Sequence, residues 1–457
     1  MSRDSSSPSS AADRQAAPDR FPVRARQLLR VRSVWAFPLV AGVVVATLMT
    51  VFYVGSVVDP LAHLNGLPVA VVNQDRALAA GSRTAGFGQQ VQQGLRASPA
   101  VSGRLRLVVT SLPAAEKLMD RDGAYTAVVI PPGFTSSLLT VSGQHVAGGT
   151  AGKPRVEILT NQRAGTTGAS LATGVLQPAL GRVSQRIGQQ LTARAPASGP
   201  AAANRAFLAD PVTVTAVQYR PLPSNSALGL SAFYIGLLTM LAGFLVGLIV
   251  QSSVDVALGY ASSEVGPRWD HRQPVPITRW QTLIIKWVVC GVLTAVLTAV
   301  ILALAAGALG MDAPNAGLLW LDMWLCAASV AAGTIALLAV LGAPGQLAAL
   351  LLFVYAGLAS AGVTVPVEAL PGVFRTLSEV LPLRQIVAGT RAILYFGARG
   401  DAGLTRGLLA AGLGLLFWLI AGAAIVRWYD RKQLYRIQPG LLAYIRRAFQ
   451  DYRAQRG

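Results

Sequence analysis

The chain has 457 residues, of which 53% are hydrophobic and only 13% charged, against about 25% charged in an ordinary soluble domain. That excludes a wholly soluble protein. The net charge of +19 comes from 39 Lys and Arg against 20 Asp and Glu, a balance that suits nucleic acid or an anionic lipid surface.

Residues 1–20 read as a disordered polar tail. In 21–33, Arg24, Arg26, Arg30 and Arg32 alternate with Phe21, Val23, Leu28, Leu29 and Val31. That pattern suits an amphipathic helix lying on a membrane surface, and equally a plain basic flank. No charge falls between Arg32 and Asp59. Roughly 20 apolar residues in a helix cross a hydrocarbon core about 30 Å thick, so 34–58 is a first transmembrane helix. It lacks a small-residue cleavage site and reads as an uncleaved signal anchor, with a removed signal peptide as the alternative.

Residues 59–226 form the one large polar segment. Apolar or alternating runs at 67–73, 104–111, 124–130, 155–160 and 212–219 predict strands, the first buried on both faces and the last at an edge. Helical patterns fall at 82–97, 112–121, 134–142 and 166–194. Alternation of the two predicts a mainly parallel α/β domain, with an Ala/Pro/Ser/Gly-rich flexible loop at 193–203. Its catalytic content is low. Gly152-Lys153 is followed by Pro154 and fails the phosphate-loop pattern. No Gly-x-Ser-x-Gly elbow occurs, and Asp120 and Asp122 flank Arg121 in what reads as a solvated turn. The scattered His63, His145 and His271, with Cys290 and Cys326 in apolar stretches, give neither zinc spacing nor a disulfide framework. No enzyme activity, metal or cofactor is expected.

Residues 227–427 hold five more spans: 227–250, one between Lys286 and Asp312, two within 323–367, and one between Arg406 and Arg427. The 323–367 run is about twice the length one helix needs, and Gly342-Ala343-Pro344-Gly345 splits it. Residues 428–457 form a basic tail. Six spans put both termini on one side, and the arginines flanking the first and last spans put that side in the cytoplasm. Arg375, Arg384, Arg391 and Arg399 then stand against the rule on the outside. The expected fold is an α-helical polytopic plasma-membrane protein with an inserted extracytoplasmic α/β domain. Its basic termini meet membrane lipid, and no nucleic-acid partner is expected.

Two charged positions in the spans form a candidate polar site. Asp322 is the one carboxylate well inside a span-length run. It reads either as paired with Arg406 or an outer arginine, or as a substrate or proton group; Trp320 and Trp324 beside it suit an interfacial belt. Lys286, at the start of its span, reads as a snorkelling residue. Gly243 and Gly247 make a four-apart pair of the kind expected by chance at this glycine content.

Several segments together resemble a known family. Leu67-Pro68-Val69-Ala70-Val71-Val72-Asn73-Gln74-Asp75 after a first span is similar to the opening of the YhgE/Pip proteins and of ABC type II permeases with large ectodomains. Tyr125-Thr126-Ala127-Val128-Val129-Ile130-Pro131-Pro132-Gly133-Phe134 resembles a second shared segment. Arg272 to Arg279 with Lys286 resembles their first cytoplasmic loop, and Leu381 to Gly397 the stretch before their last span. The resemblance, over about 35–435, implies an ABC type II permease-like fold that works as a homodimer or heterodimer beside a separate cytoplasmic ATPase. It implies that 264–282, with Glu264, Arg268, Arg272 and Arg279, is the ATPase-coupling loop, and that 370–394 is a re-entrant helical pair at the outer mouth. Two functions follow as expectations: the permease subunit of an exporter of a hydrophobic or cell-envelope substrate, or a surface-binding or secretion scaffold without transport.

Overall fold

The computed structural model describes residues 30, 32–80, 83–141, 154–194 and 208–434, and scattered positions of the tail up to 450. The expected surface helix at 21–33, His145, most of the 193–203 loop and most of the tail lie largely outside the described residues. Contacts divide the chain into Met1–Val54 and Gly55–Gly457. The sheet region and the helices after it both fall in the second unit.

Helix α1 (Arg32–Val57), all but its last three residues in the first unit, is apolar enough to span from Leu39 to Val57.

In the second unit the α/β region comes first. Strands β1 (Leu67–Asn73), β4 (Leu105–Thr110), β5 (Thr126–Ile130), β6 (Arg155–Thr160) and β7 (Thr213–Gln218) form one sheet in the order β4-β1-β5-β6-β7. Strand β1 pairs in parallel with β4 and β5, and β6 with β7, whereas β5 and β6 run antiparallel. The sheet is therefore mixed, though mainly parallel. Central β1 and β5 are buried throughout or nearly so, which is why they read as unbroken Val-rich runs. Helices α2 (Phe87–Arg96), α3 (Leu112–Met119), α4 (Phe134–Val141) and α5 (Thr166–Arg194) fill the connections. The helix expected from 82 starts later, because Leu78–Ala80 (β2) and Arg83–Ala85 (β3) pair antiparallel ahead of it.

The bundle follows. Helices α6 (Ser231–Ala257), α7 (Arg279–Leu302, wound on to Ala308), α8 (Ala316–Leu341), α9 (Pro344–Ala359), α10 (Gly372–Val380), α11 (Pro382–Tyr395) and α12 (Leu404–Arg431) complete the chain. With α1, helices α6, α7, α8 and α12 make five that are long and apolar enough to cross a membrane. The remaining expected span, the second within 323–367, is α9, which is shorter. It covers Pro344–Ala359, about 24 Å at the helical rise, and winds as a π-helix over Leu350–Ala356. Gly342 (φ 67°) before it and Gly362 (φ 70°) after it set its limits.

Small residues bring the helices together. A Cβ on Gly243 would lie 2.4 Å from the Ala327 carbonyl oxygen, and one on Gly247 2.8 Å from Thr334 Cβ. The four-apart glycines thus seat α6 on α8 within the chain. Trp320 and Trp324 are tied to the neighbouring helix. Their indole nitrogens donate to the α7 carbonyls of Ala295 (3.0 Å) and Gly291 (2.9 Å), and Trp287 Nε1 donates back to Ala332 (3.3 Å).

Candidate functional site

The α/β region sits at one end of the bundle. Arg163 donates to the carbonyls of Pro221 (2.9 Å) and Tyr395 (3.2 Å), and Arg391 to that of Ala164 (2.7 Å). Asp401, just before α12, pairs with Arg121 at 2.6 Å. Arg375 donates to the Glu368 carbonyl at 2.6 Å, and Arg384 to Ser378 Oγ at 2.9 Å. The four arginines that stood against the charge rule are thus engaged in contacts, Arg399 with Asp401 among them.

Asp122 lies 3.5 Å from Arg391 in this junction. Burial pushes its carboxyl up to about 6, outweighing the opposing pull of the Arg391 charge. Burial also raises the neighbouring Tyr125 phenol.

Two of the segments that carried the family resemblance meet past the C-terminal end of β1. The Asp75 carboxylate accepts from Gly88 N (3.0 Å), Thr135 N (2.9 Å) and Thr135 Oγ1 (2.5 Å). One carboxylate thereby satisfies free amides at the starts of both α2 and α4. A Cβ on Gly88 would lie 2.6 Å from Asp75 Cβ, so the approach requires glycine. The motif is structural.

The opposite end of the bundle gathers most of the expected loop. Thr278 and Gln281 cap α7 reciprocally. The amides of Arg279 (3.3 Å) and Trp280 (3.0 Å) donate to the Asp430 carboxylate at the end of α12, an anion at a helix N-terminus. Arg279 Nε donates to the Leu434 carbonyl at 2.8 Å. Arg427 lies 4.2 Å over the Trp280 ring, a cation–π contact.

Two turns further along α7, Lys286 does not snorkel. It is 4% exposed, and its ammonium donates to Asp255 Oδ1 (2.6 Å) and Gln251 Oε1 (2.8 Å) of α6. The Arg436 guanidinium grips the same carboxylate with both terminal nitrogens. Asp255 is a partner that the apolar pattern around it does not announce; its i, i+4 spacing from Gln251 is the local signal.

Glu264 and Arg268 lie on an exposed hairpin, β8 (Ser263–Val265) with β9 (Arg268–Asp270), where Glu264 pairs across to Trp269. Arg272 is exposed in the following loop, its carbonyl packed against Gly259. Among the described residues these three side chains make no ion pair.

Asp322 is elsewhere. The tryptophan contacts set it level with the far half of α7, about ten residues of α8, roughly 15 Å, from the level of Lys286. The two do not form one site. Asp322 is fully buried, and both carboxylate oxygens lack a hydrogen-bond partner. The expected Arg406 partner is exposed and does not reach it. The carboxylate rests on Gly389, where a Cβ would lie 3.1 Å from Oδ1, and Thr390 Oγ1 is likewise buried without a partner. Among the described residues no group of three or more His, Cys, Asp or Glu could hold a metal ion.

Five spanning helices and a small α/β sheet define a polytopic membrane protein. A family model described as "Protein of unknown function (DUF3533)" matches residues 39–418, and the chain belongs to that family. No curated protein and no solved structure matches it.

Proposed function

We propose that the chain is the permease subunit of an ABC-type exporter in the plasma membrane. It moves a hydrophobic or cell-envelope substrate with energy from a separate ATPase. In this reading the chain crosses six times, with both termini cytoplasmic and the α/β domain outside. Beside the five long helices, the crossing this adds is α9 together with the irregular stretch 360–366, where Ser360, Ala361 and Val365 are buried. Non-helical backbone is tolerated at membrane depth when protein covers it.

One observation carries the coupling role: the start of α7 is clamped to the end of α12 through Asp430. The hairpin bearing Glu264 and Arg268 leads into that clamp, at the end of the bundle opposite the sheet. A partner pressing on the hairpin would move α7 and α12 together, and α6 with them through Asp255 and Lys286. The exposed Arg268 and Arg272 offer such a partner two charges.

Affinity purification in mild detergent tests this. Expected is a co-purifying subunit that hydrolyses nucleotide and is lost on charge reversal (Arg268→Glu with Arg272→Glu). Purification without such a subunit, with charge reversal leaving cellular function intact, would remove the exporter and favour a binding or secretion scaffold.

A further inference from the structure

The end of the bundle opposite the sheet holds a cavity of about 970 Å³, at the upper limit of ordinary ligand sites. Its walls differ in chemistry. Leu283 of α7, Leu338 and Leu341 of α8 and Val426 of α12 make an apolar side, and Arg279, Lys286 and Arg436 make a cationic one with Asp430 as the carboxylate among the lining residues. Asp255 stands behind Lys286 and Arg436. Three cations against two carboxylates leave one positive charge over. Arg279 commits its Nε to Leu434, and among the described residues its two terminal nitrogens make no hydrogen bond. Planar guanidinium nitrogens suit a phosphate.

Depth narrows the ligand. Arg279 opens α7 and Lys286 lies seven residues on, about 10 Å along the helix axis. With α7 read as a span that opens at Arg279, such a cavity lies where headgroups give way to acyl chains. A soluble phosphate compound has no use for the leucine wall, whereas a lipid uses both sides.

We propose that this cavity binds one anionic phospholipid, its phosphate on Arg279 and Arg436 and an acyl chain along Leu283, Leu338 and Val426. Such a lipid would be held whether or not the chain transports, so the site goes beyond the exporter reading. It ties the tail residue Arg436 to α6 and α7 through a shared ligand as well as through Asp255.

Native mass spectrometry of the purified full chain tests it without an ATPase, so failure here leaves the exporter reading untouched. The protein is titrated with phosphatidylglycerol, with phosphatidylcholine of the same chains, and with inorganic phosphate. Expected is one phosphatidylglycerol retained per chain under conditions that strip phosphatidylcholine. Loss of one cation weakens retention about fivefold, so Arg279→Ala should show that drop and Arg279→Glu should abolish the preference. Ala339→Trp, which fills the cavity without touching a charge, should abolish retention while a thermal transition confirms folding. Equal retention of both lipids, or retention unchanged in the Arg279 variants, would overturn the proposal. So would displacement of the lipid by inorganic phosphate, which would mark a soluble-anion site.

Discussion

Asp255 answers to two cations from opposite ends of the chain's second half, Lys286 and Arg436. The Lys286 pair is almost wholly buried, and removing one member of such a pair strands the other at a cost of about 3–5 kcal/mol. Asp255→Asn, which leaves both cations without a carboxylate, should destabilise the detergent-solubilised protein by that order, and Lys286→Met, which leaves Asp255 its Arg436 partner, by less. The double variant should recover part of the loss, and Arg436→Gln, at a half-exposed position, should cost less. Thermal unfolding followed by size-exclusion chromatography reads all four. Asp75 offers a parallel case in the α/β region: Asp75→Ala removes the acceptor of three hydrogen bonds, a loss of about 2–4 kcal/mol, and Asp75→Asn should recover part.

Asp122 titrates with the opposite sign from a salt-bridged acid. Its carboxyl ionises near the usual value when unfolded and at about 6 when folded. Its contribution is fully favourable below pH 4, is lost as pH rises to 6, and stays lost above. The amount is on the order of 3 kcal/mol. Stability measured from pH 4 to 7.5 should therefore fall more steeply in the native chain than in Asp122→Asn. An identical slope in both would show that Asp122 is not the group responsible.

At the scale of elements, the helix contacts are set by backbone approach. Gly243→Val would push a side chain into the Ala327 carbonyl, whereas a Cβ on Gly291 or Gly412 meets nothing within 4 Å. Overpacking typically costs about 1–3 kcal/mol. Gly243→Val should thus lower the unfolding temperature clearly, while Gly412→Ala should leave it unchanged or raise it, since Ala is the better helix former. Charge-free runs made α1, α6, α7, α8 and α12 readable from sequence, because lipid and the bundle core ask for little beyond apolar length. The strands were readable for a similar reason, since β1 and β5 are buried on both faces. What escaped the reading depended on partners remote in sequence. No local pattern tells that Asp255 meets Arg436 or that the tryptophans of α8 bond carbonyls of α7. The start of α2 differs from the helical pattern because β2 and β3 pair ahead of it, and an uncharged run does not reveal where glycines end α9.

For the whole molecule, the arginines at the sheet end and those at the opposite end do different work. Arg121, Arg163 and Arg391 fasten the α/β region to α11 and the start of α12. The others surround an exposed hairpin and a cavity. That division explains why counting basic residues alone put a conflict at 365–403. The helices themselves permit either five crossings or, with α9 and the covered stretch after it, six. Placing small tags on both termini and a cysteine at exposed Glu157, in a chain with Cys290 and Cys326 replaced, separates the two. Six crossings require both tags to stay hidden from impermeant reagents on intact cells while the cysteine at 157 is labelled. A tag at one terminus exposed and the other hidden, or a cysteine at 157 reached only after permeabilisation, would contradict the account.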